Sequence, residues 1–243
     1  MMALAATPVS QVIVHADDQV ATSTSSASST QTHTLNKSYV VYGAGAADKD
    51  ELSNILGVNN DFTTLTATAS DYQKYINAND STTNAAMVSS VSIVPTDPGS
   101  GVKVNIKKFN GQSNITKVTA QQYAMVAQMA GVTDVTITVS ANRPVSGESA
   151  LTGVYKALSE DGINLNNQNT QSANQMLSAT NDAIDANKND SSYPGKLMAA
   201  VGDTTKQINK QKRQGEQPTQ VQIENILNQN LKKQNIYNET KNH

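Results

Sequence analysis

Between Asn114 and Leu158 the chain carries a helix start, a strand alternation and a second helical stripe in unbroken succession, and this stretch constrains the fold more than any other. Thr119 and Gln122 have the spacing of a capping box, in which each side chain accepts a hydrogen bond from the other residue's backbone N–H. Val118, just before the cap, can staple onto Tyr123. Tyr123, Val126, Ala127 and Ala130 then recur at helical spacing up to Gly131, which can take the left-handed conformation that ends helices. Val135, Ile137 and Val139 alternate with Thr136 and Thr138, the pattern of a strand with one apolar face. After Asn142-Arg143-Pro144 a second helix is expected from near Ser146, with Leu151, Val154, Tyr155 and Leu158 on one side.

Upstream, Tyr39 to Tyr42 read as a short buried strand, followed by a turn at Gly43 to Ala47 and a helix capped by Asp48, with Glu51 at its third position. Leu52, Ile55 and Leu56 form its apolar stripe and Gly57 ends it. Thr63, Leu65, Ala67 and Ala69 alternate with threonines as a second strand, and Ser70 with Gln73 offers a capping box for a short helix through Tyr72, Tyr75 and Ile76. A polar loop runs to Ala86. Val91 and Ile93 read as a strand, Thr96 to Gly101 as a turn rich in Pro and Gly, and Val102, Val104 and Ile106 as its return, so a hairpin is expected here. The passages 51–69 and 123–141 echo one another, each running apolar helix, Gly-Val, polar turn and Thr-rich strand, which suggests a two-fold internal repeat.

Beyond Gly162, Asn and Gln crowd the chain and strand patterns vanish. Three helical stripes remain: Met176, Leu177, Thr180 and Ile184; Leu197, Val201, Thr205 and Ile208 after Pro194; and Val221, Ile223, Ile226, Leu227 and Leu231, opened by Pro218 and a Thr219–Gln222 capping box. These stripes are thin, so the helices must pack on each other or on the core, with partial disorder of the last as the alternative. The fold class expected is α+β: a mixed sheet with packed helices over residues 38–162, followed by an Asn/Gln-rich helical region over 163–243.

Residues 1–16 read as the rear of a signal peptide, with an apolar stretch ending in Val14-His15-Ala16 and cleavage expected to leave Asp17 first. No Lys or Arg precedes that stretch, which reads as a start placed too far downstream; a buried N-terminal helix is the alternative, and Pro8 fits it poorly. Residues 17–37 form a Ser/Thr-rich tract expected to be a flexible leader, with His33 in it. A hydrophobic content of 37%, with no Trp, argues against one core spanning the whole chain. The net charge of −2 carries no basic excess for nucleic acid, and no run approaches the roughly 18 apolar residues of a membrane span. With no Cys there is no disulfide, lipobox or thiolate metal site.

Tyr42-Gly43, Glu51-Leu52, Leu56-Gly57-Val58, Ser89-Ser90-Val91, Gly99-Ser100-Gly101-Val102, Asn114-Ile115-Thr116, Thr119, Tyr123 and Ala130-Gly131-Val132 form a series that ends in the run from Pro144 to Gly153. On these residues the chain resembles the secreted Gram-positive family catalogued as domain of unknown function 1002, over roughly residues 38 to 235. The resemblance implies an extracytoplasmic protein and brings no activity, cofactor or site residues with it.

The three histidines, His15, His33 and His243, lie outside the folded part, which removes the usual general base and metal ligand. Gly147-Glu148-Ser149-Ala150-Leu151 departs from a nucleophile elbow at its last position, leaving a Ser149–Lys156 dyad as the nucleophilic option and a helix-start cap as the plainer one. Gly43-Ala44-Gly45 sits where a dinucleotide loop would, but Asp48 replaces the third Gly and would repel phosphate, so a turn is expected. Carboxylates are the remaining catalytic stock, with Glu148 best placed and Glu51, Asp48 and Asp71 more distant. The candidate ligand-binding residues are Arg143, Ser146, Glu148 and Ser149, where a strand end meets a helix start that can receive an anionic or sugar oxygen. The plainer reading pairs Arg143 with Glu148 and makes Ser146 the helix cap. No metal or cofactor is expected. The function expected is a non-enzymatic binding or structural role at the cell envelope, extracellular or wall-associated, toward a wall polymer or envelope protein. The rival is a His-free hydrolase of a wall polymer acting through carboxylates or Ser149.

Overall fold

The computed structural model describes residues 19–23, 33–165, 167–216 and 219–241. The signal peptide over 1–16, its cleavage site and Pro218 lie outside the described residues. The chain divides into two compact units, one ending at Asn174 and the other beginning at Gln175, whereas the change in composition comes at Gly162.

The first unit is α+β. Its strands are β1 (Gln19–Ser23), β2 (Tyr39–Gly43), β3 (Thr63–Ala67), β4 (Ser90–Pro95), β5 (Val102–Ile106) and β6 (Val135–Ser140), and they form one mixed sheet in the order β1-β5-β6-β4-β2-β3. Its helices are α1 (Lys49–Leu56), α2 (Ala69–Tyr75), α3 (Ala120–Met129), α4 (Glu148–Glu160) and the start of α5 (Asn167–Ala186). β2 is buried along its whole length, and β6 shows the alternation read from its sequence.

The expected hairpin does not form. β6 lies between β4 and β5, antiparallel to the first and parallel to the second, so Val135 stands opposite both Pro95 and Val102. The loop from Thr96 to Gly101 is long enough to straddle a strand, a span of about 10 Å. Asp134 holds it there: its carbonyl accepts the Thr96 N–H at 2.8 Å and its Oδ1 accepts the Gly101 N–H at 2.9 Å.

Helices cover both faces. Val40 and Tyr42 pack with Leu52 and Leu56 of α1, and Ser92 Oγ donates to the Leu56 carbonyl at 2.8 Å. Val41 and Val91 project the other way, onto α4, where a Cβ on Gly153 would lie 2.8 Å from Val91 Cγ1. α3 packs on β5 over Val102 and Val104, which register with Val135 and Ile137 on the α4 side. The two echoing passages therefore place α1 and α3 on opposite faces, and the likeness does not extend to a structural repeat.

Local corrections have local causes. The box that opens α2 is Thr68–Asp71, with Asp71 N–H donated to Thr68 Oγ1 at 3.2 Å and Thr68 N–H to Asp71 Oδ2 at 2.9 Å. Ser70 lies inside that helix, because β3 ends at Ala67 and leaves Thr68 extended. Asp48 stands at the start of α1 in the left-handed region, φ 53°, and makes no side-chain cap bond. The flexible leader expected over 17–37 is corrected where it is described: β1 pairs antiparallel with β5, the His33 N–H reaches the Gly131 carbonyl at 2.7 Å, and Leu35 is buried. A polar sequence can join a sheet edge because the backbone itself supplies the bonds.

The second unit is helical, comprising the end of α5, α6 (Tyr193–Arg213), α7 (Gln220–Lys233) and the short α8 (Tyr237–Lys241). Ile184, Tyr193, Leu197, Ala200, Leu231 and Ile236 form its core. The Thr219–Gln222 capping box is present. Val221, read as part of the apolar stripe, is 66% exposed, since it stands one residue out of phase with Leu227 and Leu231.

Candidate functional site

The expected site lies where α4 begins, and its shape is set by Gly147. This residue occupies the cap position with φ 101°, so the role expected of Ser146 passes to a glycine. Tyr123, fully buried in α3, donates its hydroxyl proton to the Gly147 carbonyl at 2.7 Å. Burial, and then the nearby Glu148 carboxylate, push the Tyr123 phenol well above its ordinary pKa, so it remains a donor. Ser146 makes a tight turn with the helix start, donating Oγ–H to Glu148 Oε2 at 3.0 Å and accepting the Glu148 N–H at 3.3 Å.

Ser149 faces inward. Its hydroxyl donates to the Ser89 carbonyl at 2.9 Å, and Ser89 Oγ accepts the Ala150 N–H at 2.8 Å. The pair stitches α4 to the approach to β4, a clamp geometry that leaves no base at Ser149 Oγ. Lys156 lies two helical turns along α4, roughly 10 Å away, and its ammonium is held by Asp71 Oδ2 at 2.7 Å and the Thr66 carbonyl at 2.8 Å. The Ser149–Lys156 dyad is therefore not formed. Arg143 is exposed and donates Nη2–H to the Ala85 carbonyl at 2.9 Å, so neither the expected pairing with Glu148 nor a place in the cleft is realised.

Ser146, Glu148 and Ser149 do come together, in the lining of a cleft of about 100 Å³ that Tyr72, Asp80, Thr82, Ala86 and Met87 complete. Asp80 is the residue that sequence reasoning missed. It sits in the polar loop before Ala86, where no periodicity marks it. The loop is shaped by its own polar groups: Asp80 Oδ1 accepts the Thr82 N–H at 2.6 Å, and Gln73 Nε2 donates to the Asp80 carbonyl at 2.9 Å. Tyr72 is only 7% exposed, and its phenol is pushed up to about 12 by burial first and then by Glu148 and Asp80. It therefore stays neutral in the lining it shares with the two carboxylates.

The other carboxylates named from the sequence lie elsewhere, with Glu51 exposed in the first turn of α1 and Asp71 engaged with Lys156. Burial alone would raise Asp71, but hydrogen bonds from Lys156 and Thr68 outweigh it and hold the carboxyl below its ordinary value. A depressed native pKa contributes stability that is in place above the unfolded-state value and is lost as pH falls through the native one. Thermal unfolding followed from neutral into acid should show this limb, and Asp71→Asn should flatten it. An unchanged acid limb in that variant would show that the ion pair makes no linked contribution.

A second, more open cleft of about 340 Å³ lies at the far end of α4, lined by Lys74, Tyr75, Ser159, Ile163 and Thr170 among others. Lys74 Nζ stands 4.7 Å from the Tyr75 ring centre, and Tyr75 stacks on Tyr155 at 5.9 Å. The ammonium is thus held against an aromatic face of the first unit. Among the described residues no group of three His, Asp or Glu is placed to hold a metal ion, and no helix is long and apolar enough to cross a membrane.

Comparison with known proteins brings in relatives without an assigned chemistry. The chain is 31% identical over 143 residues to the uncharacterized protein YpuA of Bacillus subtilis (strain 168), an alignment covering 57% of this chain and 47% of the relative. The chain thus spans about half the length of that curated relative. No solved structure matches. The family described as "Protein of unknown function (DUF1002)" matches residues 42–243, from the sheet of the first unit through the helices of the second, and the chain belongs to that family.

Proposed function

We propose that this chain is a non-enzymatic binding protein of the cell envelope, acting outside the cell. The observation that carries the reading is the disposition of the polar groups around α4. The hydroxyl of Ser149, the ammonium of Lys156 and the guanidinium of Arg143 are each engaged by the protein's own carbonyls or carboxylates, whereas Tyr72, Asp80 and Glu148 line an open cleft. Such a site holds a ligand group and has no activated nucleophile to attack it. The extracellular setting is supported by the Val14-His15-Ala16 motif and by the family resemblance.

The hydrolase reading keeps one observation in its favour: Asp80 and Glu148 line the same cleft, as a carboxylate pair must. Against it, the cleft of about 100 Å³ is small beside the roughly 300–1,000 Å³ of pockets that hold whole small molecules. Purified protein incubated with isolated cell walls separates the two. Retention on the walls without release of soluble sugar or peptide is expected. Release that stops in Asp80→Asn and Glu148→Gln would establish the hydrolase, and no retention at all would overturn the binding reading.

A further inference from the structure

We propose that β3 is the seam of a symmetric dimer, pairing antiparallel with β3 of a second copy of this chain about a twofold axis beside Thr64. β3 is an edge strand, bonded to β2 on one side and, among the described residues, to no strand on the other. Edge strands are usually blunted by Pro, by charged side chains or by a bulge. Thr63-Thr64-Leu65-Thr66-Ala67 carries neither Pro nor charge, and its parallel register with β2 runs through all five residues without a bulge. Thr64 and Thr66 are exposed.

What favours a second copy over any other strand is the set of backbone groups that this edge leaves open. The Thr63 N–H is donated to the Ser38 carbonyl at 2.9 Å and the Ala67 carbonyl accepts the Ala44 N–H at 2.9 Å, so the odd-numbered residues of β3 bond to β2. Thr64 and Thr66 therefore turn both N–H and C=O outward. The Phe62 carbonyl also points outward, because it shares a planar trans peptide with the inward Thr63 N–H. Two outward groups are already engaged: the Thr66 carbonyl by Lys156 Nζ at 2.8 Å, and the Phe62 N–H by the Asn59 carbonyl at 3.3 Å. Among the described residues this leaves open the Thr64 N–H, the Thr64 carbonyl, the Thr66 N–H and the Phe62 carbonyl. An antiparallel partner centred on Thr64 sets Thr64 against Thr64 and Thr66 against Phe62. The two Thr64 residues then exchange N–H and C=O, and each Thr66 N–H meets the second copy's Phe62 carbonyl. Every open group finds a partner, and the groups this register does not serve are those each copy satisfies internally. Such self-complementarity is the mark of an isologous interface. The side chains agree with it. Thr64 faces Thr64 across the axis, a favourable cross-strand pair. Asp61, exposed and in no ion pair among the described residues, comes opposite Ala67 of the second copy, next to the Thr66 carbonyl on which Lys156 is anchored.

The test follows the mass of the full-length chain by light scattering up to about 1 mM, with amide hydrogen exchange at low and high concentration. A concentration-dependent dimer is expected, in which the Thr64 and Thr66 N–H groups become protected as the dimer forms, whereas the inward Leu65 N–H is protected throughout. Thr64→Pro removes the N–H that crosses the axis and should weaken association about tenfold or more. That N–H makes no bond within one copy, and an edge strand accepts Pro at such a position, so the variant keeps its fold. Thr64→Lys and Thr64→Glu should each weaken association alone, because like charges then face one another across the axis, and an equimolar mixture of the two should associate again. A monomer over the whole range, a dimer indifferent to Thr64→Pro, or no recovery in the mixture would each overturn the proposal. So would protection of Thr64 and Thr66 by an added cell-wall peptide on a chain that stays monomeric, which would assign this edge to a different strand.

Discussion

Replacing Gly43 by Ala is expected to lower the stability of the first unit by roughly 3 kcal/mol or more. Gly43 ends β2, and a Cβ there would lie 2.1 Å from the Met87 carbonyl oxygen, 2.6 Å from its carbon and 2.9 Å from Ser149 Oγ. None of these atoms is free to retreat. The Met87 carbonyl accepts the Gly45 N–H at 2.8 Å, and Ser149 Oγ is fixed on the Ser89 carbonyl. The Gly43 N–H is itself donated to buried Ser90 Oγ at 3.2 Å, so moving β2 aside would leave that pair unmade. Urea unfolding should show a lower midpoint, and retention on isolated cell walls should fall as well, because Met87 and Ser149 both line the cleft. An unchanged midpoint would mean that the strand end yields far more readily than its bonding implies.

Gly153→Ala should also destabilise, by about 1–3 kcal/mol, although Ala is ordinarily the better helix former by about 1 kcal/mol. The sign reverses because α4 lies directly on the sheet. A Cβ at Gly153 would meet Val91 Cγ1 at 2.8 Å and Val41 Cβ at 3.1 Å, and both valines are fully buried and stiff about their first torsion. Gly202 in α6 provides the control, since nothing lies within 4 Å of the corresponding Cβ. Gly202→Ala should therefore raise the stability of the second unit by about 0.5–1 kcal/mol. Opposite shifts in the unfolding midpoints of the two variants are the expected result. A gain in both would show that α4 does not approach the sheet as closely as its contacts require.

The legible parts of this fold are those decided within a few residues. The Thr119–Gln122 and Thr219–Gln222 boxes, the ends of helices at Gly57 and Gly131 and the alternation of β6 all follow from neighbours in the chain, and all are present. Local signals failed at the start of α2, where the box read as Ser70–Gln73 is instead Thr68–Asp71, because the helix start is set by the point where β3 leaves the sheet. Strand partners were not legible at all, because the alternation of Val102, Val104 and Ile106 states that a strand exists and is silent on which strand lies beside it.

The site divides in the same way. Ser146, Glu148 and Ser149 are near one another in sequence, and the start of α4 necessarily brings them close. Asp80 and Tyr72 come from distant segments and reach Glu148 only because α2 packs on α4 and the loop after α2 folds back through the Gln73–Asp80 bond. That closure turned a helix start expected to receive an anion into an acidic cleft. By itself, then, the sequence determined most of the elements from β2 to α7 and the helix start at the edge of the sheet, since these depend on backbone preference and side-chain bonds a turn apart. Which strand inserts between which, which face each helix covers and what charge the cleft carries were decided by the tertiary structure alone, because burial and Coulomb forces act between residues that share space and no stretch of sequence.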